Sequence, residues 1–175
     1  ARGLKIQDQR GYDRFVSSQP QYSALWRVIE AEVVPLSQRE GIGQIVWSPM
    51  AQGVLTGKYL PGKKAPAGSR ATDKKSGAAM ISRWMKDDVL EAVQLLKPIA
   101  ESVDLSMSQM ALAWVLQNPN ISSAIMGATK PAQIKDNVKA SGVKLPPEVM
   151  KAIDGAIGKV AERDPKKNVS PNPRP

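Results

Sequence analysis

The stretch that most restricts the fold is Gln44 to Tyr59, QIVWSPMAQGVLTGKY. Its apolar run Ile45-Val46-Trp47 stops abruptly at Ser48-Pro49 and gives way to a loop containing Gly53 and Gly57. A short continuous apolar run of this kind fits a parallel strand covered on both faces. Beyond it, small residues make a rim where a ligand can approach the backbone closely. An aromatic residue at that mouth, followed by Ser, Gly and Lys, suits a ligand with a flat ring and a phosphate. The same residues also suit a core strand followed by an ordinary Gly/Pro loop, so the rest of the chain has to decide.

Upstream, residues 1 to 11 read as the end of a helix. Phe15 to Gln19 reads as a short strand closed by Pro20, which has no N–H for a central ladder. From Ala24 to Glu40, Leu25, Val28, Ile29, Val33 and Leu36 recur at helical spacing, with a break expected at Pro35. Strand, helix, strand is the unit that builds parallel sheets. Residues 50 to 84 show no periodicity, and a loop of that length is functional or disordered. Lys86 to Ser102 reads as an amphipathic helix bent at Pro98. Ser106 with Gln109 three residues on forms a capping-box pattern. The helix it opens buries Met110, Ala113, Trp114 and Leu116 and stops at Asn118-Pro119. Ile121 to Met126 reads as a third strand, and Gly127-Ala128-Thr129 turns it into a helix at Pro131. The N–H groups of that helix start, with Thr129 in front, would suit an anion. A final helix spans Glu148 to Val160. Asp164 to Pro175 has four prolines and reads as an extended tail.

Composition narrows the chemistry. The 175 residues contain no histidine and no cysteine, which removes the commonest general base, the commonest metal ligand and all thiolate chemistry. No run of about 18 apolar residues occurs, so membrane insertion is not expected. No secretion signal opens the sequence, and a cytoplasmic location is expected. More than half of the net charge of +9 lies between residues 58 and 76, where Lys58, Lys63, Lys64, Arg70, Lys74 and Lys75 face only Asp73. A basic loop of this kind serves nucleic acid, a membrane surface or a phosphorylated small molecule, or is simply solvated.

Three segments in order, FVSSQPQYSAL (Phe15 to Leu25), GIGQIVWSPMAQGVLTGKY (Gly41 to Tyr59) and AIMGATKPAQIKDNVKA (Ala124 to Ala140), with a helix pair between the last two, resemble the C-terminal half of an aldo-keto reductase. The resemblance runs from about Gly11 to Gly158 and is nearest to the branch holding bacterial reductases and potassium-channel beta subunits. It implies a (β/α)8 TIM barrel, of which residues 1–163 supply only about the last three βα units, with 164–175 as a Pro-rich tail. It also implies hydride transfer from NADPH to a small-molecule carbonyl. On this resemblance Gln19 would bond the nicotinamide carboxamide and Trp47 would stack on the ring. Ser48, Pro49, Met50, Ala51, Gln52 and Gly53 would follow the pyrophosphate. Lys58 would be a phosphate contact, with Ser69-Arg70 near the same end of the cofactor. Gly127 and Thr129 would hold the adenosine phosphate, and Gln133, Asp136 and Asn137 the adenine end. Tyr22 and Trp47 would border the substrate. All belong at the carboxyl ends of strands or in the loops after them.

The resemblance also defines what this stretch lacks. The family's catalytic Asp, Tyr, Lys and His belong to its first half, so these 175 residues are expected to show no turnover alone. Where the family offers Lys and Arg to the 2′-phosphate of NADPH, this sequence reads Thr129-Lys130 and Gln133, so Lys130 could still serve and the choice between NADP and NAD stays open. Two other readings stay open: a non-catalytic NADP(H)-binding partner of the beta-subunit type, and a nucleic-acid module built on the basic loop. Against the latter, no aromatics interleave its positive charges and no helix carries a basic stripe, so nucleic acid is not an expected partner.

Overall fold

The strand β2 (Gly43–Trp47) lies between β1 (Ser17–Ser18) and β3 (Ile121–Ile125) in a parallel three-stranded sheet; the computed structural model describes residues 2–168. Ser17 pairs with Gly43 on one side, and Val46 with Ala124 and Trp47 with Ile125 on the other. Pro20 ends β1 without ending the ladder. Its carbonyl accepts the Trp47 N–H at 3.1 Å, and the Trp47 carbonyl accepts the Tyr22 N–H at 3.2 Å.

Burial along β2 alternates. Gln44 and Val46 are fully buried, whereas Gly43 and Ile45 are half-buried and Trp47 is exposed. On β3, Ser122, Ser123 and Ile125 are exposed. The expectation of a strand covered on both faces is therefore corrected. One face of the sheet packs against helices and the other is open, because α2 (Val33–Glu40) meets β2 and α6 (Met107–Leu116) meets β3 from the side of the buried set.

The helices follow the sequence in outline and depart from it at prolines. The expected single helix from Ala24 is a tight Ser23–Trp26 turn, a 3-10 turn at Val28–Glu30 and then α2. Pro35 stands in the first turn of α2, where its missing N–H would have had no intrahelical partner, so it starts the helix instead of breaking it. Lys86 to Ser102 divides into α4 (Asp87–Gln94) and α5 (Leu96–Glu101). The break falls at Leu95, three residues before Pro98, because the proline cannot bond back to the Gln94 carbonyl and its ring crowds it. The capping box of α6 forms as read, with Ser106 Oγ accepting the Gln109 N–H and Gln109 Oε1 accepting the Ser106 N–H. Two helices complete the set after β3, α7 (Pro131–Asn137) and α8 (Pro147–Ile157), while α1 (Arg2–Arg10) and the short α3 (Gly77–Ile81) lie earlier.

Residues 50 to 84 are folded in spite of lacking periodicity. Val54, Leu55, Tyr59, Ile81 and Trp84 are buried and join the core made by Leu25, Val46, Val93, Ala113 and Ile157. Part of the tail is also tied down. The Glu162 N–H donates to the Leu25 carbonyl, the Arg27 N–H donates to the Glu162 carbonyl (2.8 Å each), and Pro165–Lys167 form a 3-10 turn. Residues 169–175 of the expected Pro-rich tail lie outside the described residues.

Arg27 joins three of these pieces. Its side chain is only 4% exposed, and its Nε donates to the Ala24 carbonyl at 2.9 Å. The guanidinium stands 4.5 Å over the Trp114 ring of α6 and donates to Asp154 of α8 at 2.5 Å. A buried charge is tolerable only when paired and hydrogen-bonded, and these contacts do both. Asp154→Ala should therefore lower stability by about 1–3 kcal/mol, less than for a fully buried pair because Asp154 is half exposed. The midpoint of urea unfolding of the full-length protein carrying this segment measures it, and an unmoved midpoint would remove Arg27 from this role.

Candidate functional site

At the carboxyl ends of β2 and β3 the chain encloses a cavity of about 440 Å³. Trp47 and Ile125, paired across the ladder, stand at its base, with Met126 beside them. Trp47 is 37% exposed, so a substantial part of the indole meets the opening.

The wall after β2 depends on backbone that few side chains accept. Ser48 (φ 57°), Ala51 (φ 48°), Gln52 (φ 56°) and Gly53 (φ 95°) all lie in the left-handed region. For a residue with a Cβ this costs roughly 1 kcal/mol or more and persists only where the surroundings enforce it. Here the N–H groups of Gly53 and Leu55 both donate to the Met50 carbonyl, and Ala51, Val54 and Leu55 are buried beneath. The result is a tight double turn that presents Ser48, Pro49, Met50, Gln52 and Gly53 to the cavity. Lys58 returns across Gly53. A Cβ there would stand 3.2 Å from Nζ, so the missing side chain leaves room for the ammonium.

The opposite wall comes from Gly127, Thr129 and α7, whose Gln133, Asp136 and Asn137 line the cavity. The two N–H groups just before the helix are already taken. Gln133 Oε1 accepts the N–H groups of Thr129 (2.8 Å) and Lys130 (3.1 Å) and faces the Thr129 hydroxyl at 3.2 Å. The expected anion site is thus capped by the chain's own side chain, and an anion there would have to displace Gln133. Asp136 is anchored by Gln109, whose Nε2 donates to its carboxylate at 2.8 Å. A third wall is the 3-10 turn Arg70–Thr72, which brings Arg70 and Ser69 to the rim. Ser69 Oγ is buried there with no partner among the described residues, an orphaned hydroxyl at the cavity's edge.

Thirteen of the residues singled out in the sequence line this one cavity, from Trp47, Ser48, Pro49, Met50, Gln52, Gly53, Lys58 and Arg70 to Gly127, Thr129, Gln133, Asp136 and Asn137. Three do not. Ala51 is buried under the turn. Gln19 is exposed at the end of β1, beside the backbone of Trp47 but outside the cavity's lining. Tyr22, read as bordering substrate, is turned inward. It is 3% exposed, its ring lies 5.3 Å from that of Trp114, and its hydroxyl donates to Glu30 at 2.8 Å. Burial first, and the Glu30 carboxylate second, push its pKa well above the ordinary tyrosine value, which keeps it protonated. Thr56, Ser69, Ser108 and Ile125 also line the cavity. Of these, only Ser69 was marked by the sequence, through its neighbour Arg70. Among the described residues no group of three or more His, Cys, Asp or Glu side chains could hold a metal.

Cavities at the carboxyl ends of parallel strands are where α/β proteins place their ligands. The Aldo/keto reductase family model matches residues 4–157, and the chain belongs to that family. It is 43% identical over 145 residues to a probable voltage-gated potassium channel subunit beta of Oryza sativa, covering 81% of this chain and 44% of the relative. It is 35% identical over 153 residues to Protein tas of Escherichia coli, covering 87% of this chain and 43% of the relative. L-glyceraldehyde 3-phosphate reductase of Escherichia coli is 34% identical over 124 residues, covering 70% and 35% respectively. The chain thus spans less than half the length of the curated relatives it matches.

The turn that carries Arg70 is held by Asp73. Its carboxylate accepts the N–H groups of Lys75 (3.0 Å) and Gly77 (3.1 Å), and these two bonds, in that order, hold its pKa below the usual carboxylate value. A lowered folded pKa means that this stabilisation is complete above the ordinary carboxylate pKa and is lost as pH falls through the folded value. Asp73→Ala should therefore speed amide exchange at Lys75 and Gly77 at neutral pH. The unsubstituted protein should show the same loosening only in acid, after correction for intrinsic exchange rates. Equal protection in the variant would contradict this.

Proposed function

We propose that the whole protein to which this chain belongs reduces small aldehydes or ketones with NADPH, and that this chain forms much of the cofactor's binding wall. The observation that carries the reading is the single cavity in which an exposed indole, a strained Ser-containing turn and two cations meet. Those features fit a dinucleotide. The indole of Trp47 offers a flat apolar face to a nicotinamide ring. Lys58 and Arg70 outnumber Asp136, and Asp136 is already engaged by Gln109, so the lining favours an anion. Ser48 lines the cavity, and its hydroxyl proton, with no acceptor among the described residues, can be donated to a phosphate oxygen. Near the adenine end, Gln133 would exchange its hold on Thr129 and Lys130 for the ligand, with Lys130 available to a 2′-phosphate.

When bound, NADPH supplies the hydride. The residues of this chain serve by holding the ring in one orientation at the mouth of β2, and fixing that geometry contributes much of the rate. None of its tyrosines lines the cavity: Tyr22 and Tyr59 are buried and Tyr12 is exposed elsewhere. The proton for the carbonyl oxygen is therefore assigned to residues outside this chain, and the 175 residues alone should show no turnover.

A second reading, favoured by the identity to channel beta subunits, is a protein that binds NADP(H) and acts chiefly through a partner. Both readings require the cofactor, and steady-state rates of the full-length protein near zero with several aldehydes would favour the second. For the first, the full-length protein should consume NADPH when an aldehyde is added, and Trp47→Ala should raise the NADPH dissociation constant about tenfold. Unchanged affinity in that variant would count against the stacking role, and turnover by the isolated 175-residue chain would count against the division of labour.

A further inference from the structure

Gln52 is held at both ends of its amide. Its Oε1 accepts a hydrogen bond from the indole Nε1–H of Trp84 at 3.2 Å, and its Nε2 donates to Ser48 Oγ at 2.9 Å. An indole N–H can only donate, so the amide has one workable orientation, oxygen toward Trp84 and NH2 toward Ser48. Trp84 itself is poorly free to turn. It is 4% exposed and meets the Trp26 ring edge-on, with centroids 6.3 Å apart at 84°. The direction of the whole series is thereby set from the core outward: Trp84 gives to Gln52, and Gln52 gives to Ser48.

The consequence falls on the Ser48 hydroxyl. One of its lone pairs is taken by Gln52, and among the described residues no acceptor takes its proton. Ser48 lines the cavity, and its left-handed backbone (φ 57°) holds it there. We propose that Trp84 is a positioning residue which, through Gln52, keeps Ser48 as a hydrogen-bond donor toward an anionic oxygen of the ligand. The proposal rests on the dinucleotide reading above and adds to it a residue that does not line the cavity. Without the indole N–H, the Gln52 amide is free to turn over. Its oxygen would then capture the Ser48 proton and leave a lone pair facing a phosphate.

The test is NADPH binding by the full-length protein, followed by cofactor fluorescence. Trp84→Phe keeps an aromatic ring and removes only the donor. It should weaken binding roughly tenfold, the size expected for a hydrogen bond to a charged group. Ser48→Ala should do the same, and the double variant should bind no more weakly than Ser48→Ala alone, since both act on one bond. A merely structural role for Trp84 would instead give effects that multiply. Should Trp84→Phe fail to fold, Gln52→Met decides, with the same loss and the same lack of additivity with Ser48→Ala expected. Undiminished binding in the folded single variant, or full additivity with Ser48→Ala, overturns the proposal while leaving the dinucleotide reading intact. Absence of NADPH binding by the unsubstituted protein overturns both.

Discussion

The cavity depends first on the register of the ladder through β2. Trp47 is bonded on one side to Pro20 and Tyr22 through its N–H and carbonyl, and is paired on the other with Ile125. Side chains alternate along a strand, so a slip of one residue would turn Trp47 into the helix-covered face and bring Val46 to the opening. Fully buried Val46 and Gln44 oppose that slip, as does the bulge between Gln44 and Ile45 that sets the pairing with β3. Only with this register do the ends of β2 and β3 arrive at one level, so that residues some 80 positions apart in sequence share one rim.

From that rim outward, control passes from the sheet to the strained turn at Ser48–Gly53. Its left-handed residues aim Ser48 and Gln52 into the cavity while Ala51, Val54 and Leu55 anchor it from below. The turn is held rigidly from several sides: by Met50, whose carbonyl takes two N–H groups, by Trp84 through Gln52, and by Lys58 crossing Gly53. Positions like these are where backbone strain is retained for a purpose, since an ordinary connecting loop would relax it.

Much of this was legible because its signals are local. A proline two residues on marks the ends of β1 and β2, Ser106 with Gln109 marks the start of α6, and Pro131 marks that of α7. The misreadings have two causes, the place of a proline within its own helix and a partner distant in sequence. Pro35 and Pro98 looked alike in sequence, yet one starts a helix and the other splits one, depending on whether a full turn precedes it. Tyr22 sits beside the strand end that the motif marks, but Trp114 and Glu30 draw it into the core. Gln133 lines the cavity, and its Oε1 also accepts the N–H groups of Thr129 and Lys130, a cap that the sequence reading did not include. Trp84 left no trace, because its bond to Gln52 spans 32 residues of a segment with no periodicity.

The basic loop shows how charge and position separate. Of its six cations, Lys58 and Arg70 line the cavity, whereas Lys63, Lys64, Lys74 and Lys75 are exposed elsewhere on the loop. The local excess is therefore two things at once, a pair of cavity-lining residues and a solvated surface. A similar division applies to the chain as a whole. The relatives it matches include a probable voltage-gated potassium channel subunit beta and an L-glyceraldehyde 3-phosphate reductase, two proteins named for different roles. On the proposed reading, a wall that orients a ring and neutralises phosphates would be indifferent to that difference, because it would serve a cofactor that reacts and a cofactor that is merely held alike. On the proposed reading, what separates the two is the proton donor that would meet the open face of Trp47, and among the described residues no tyrosine or histidine lines the cavity to supply it.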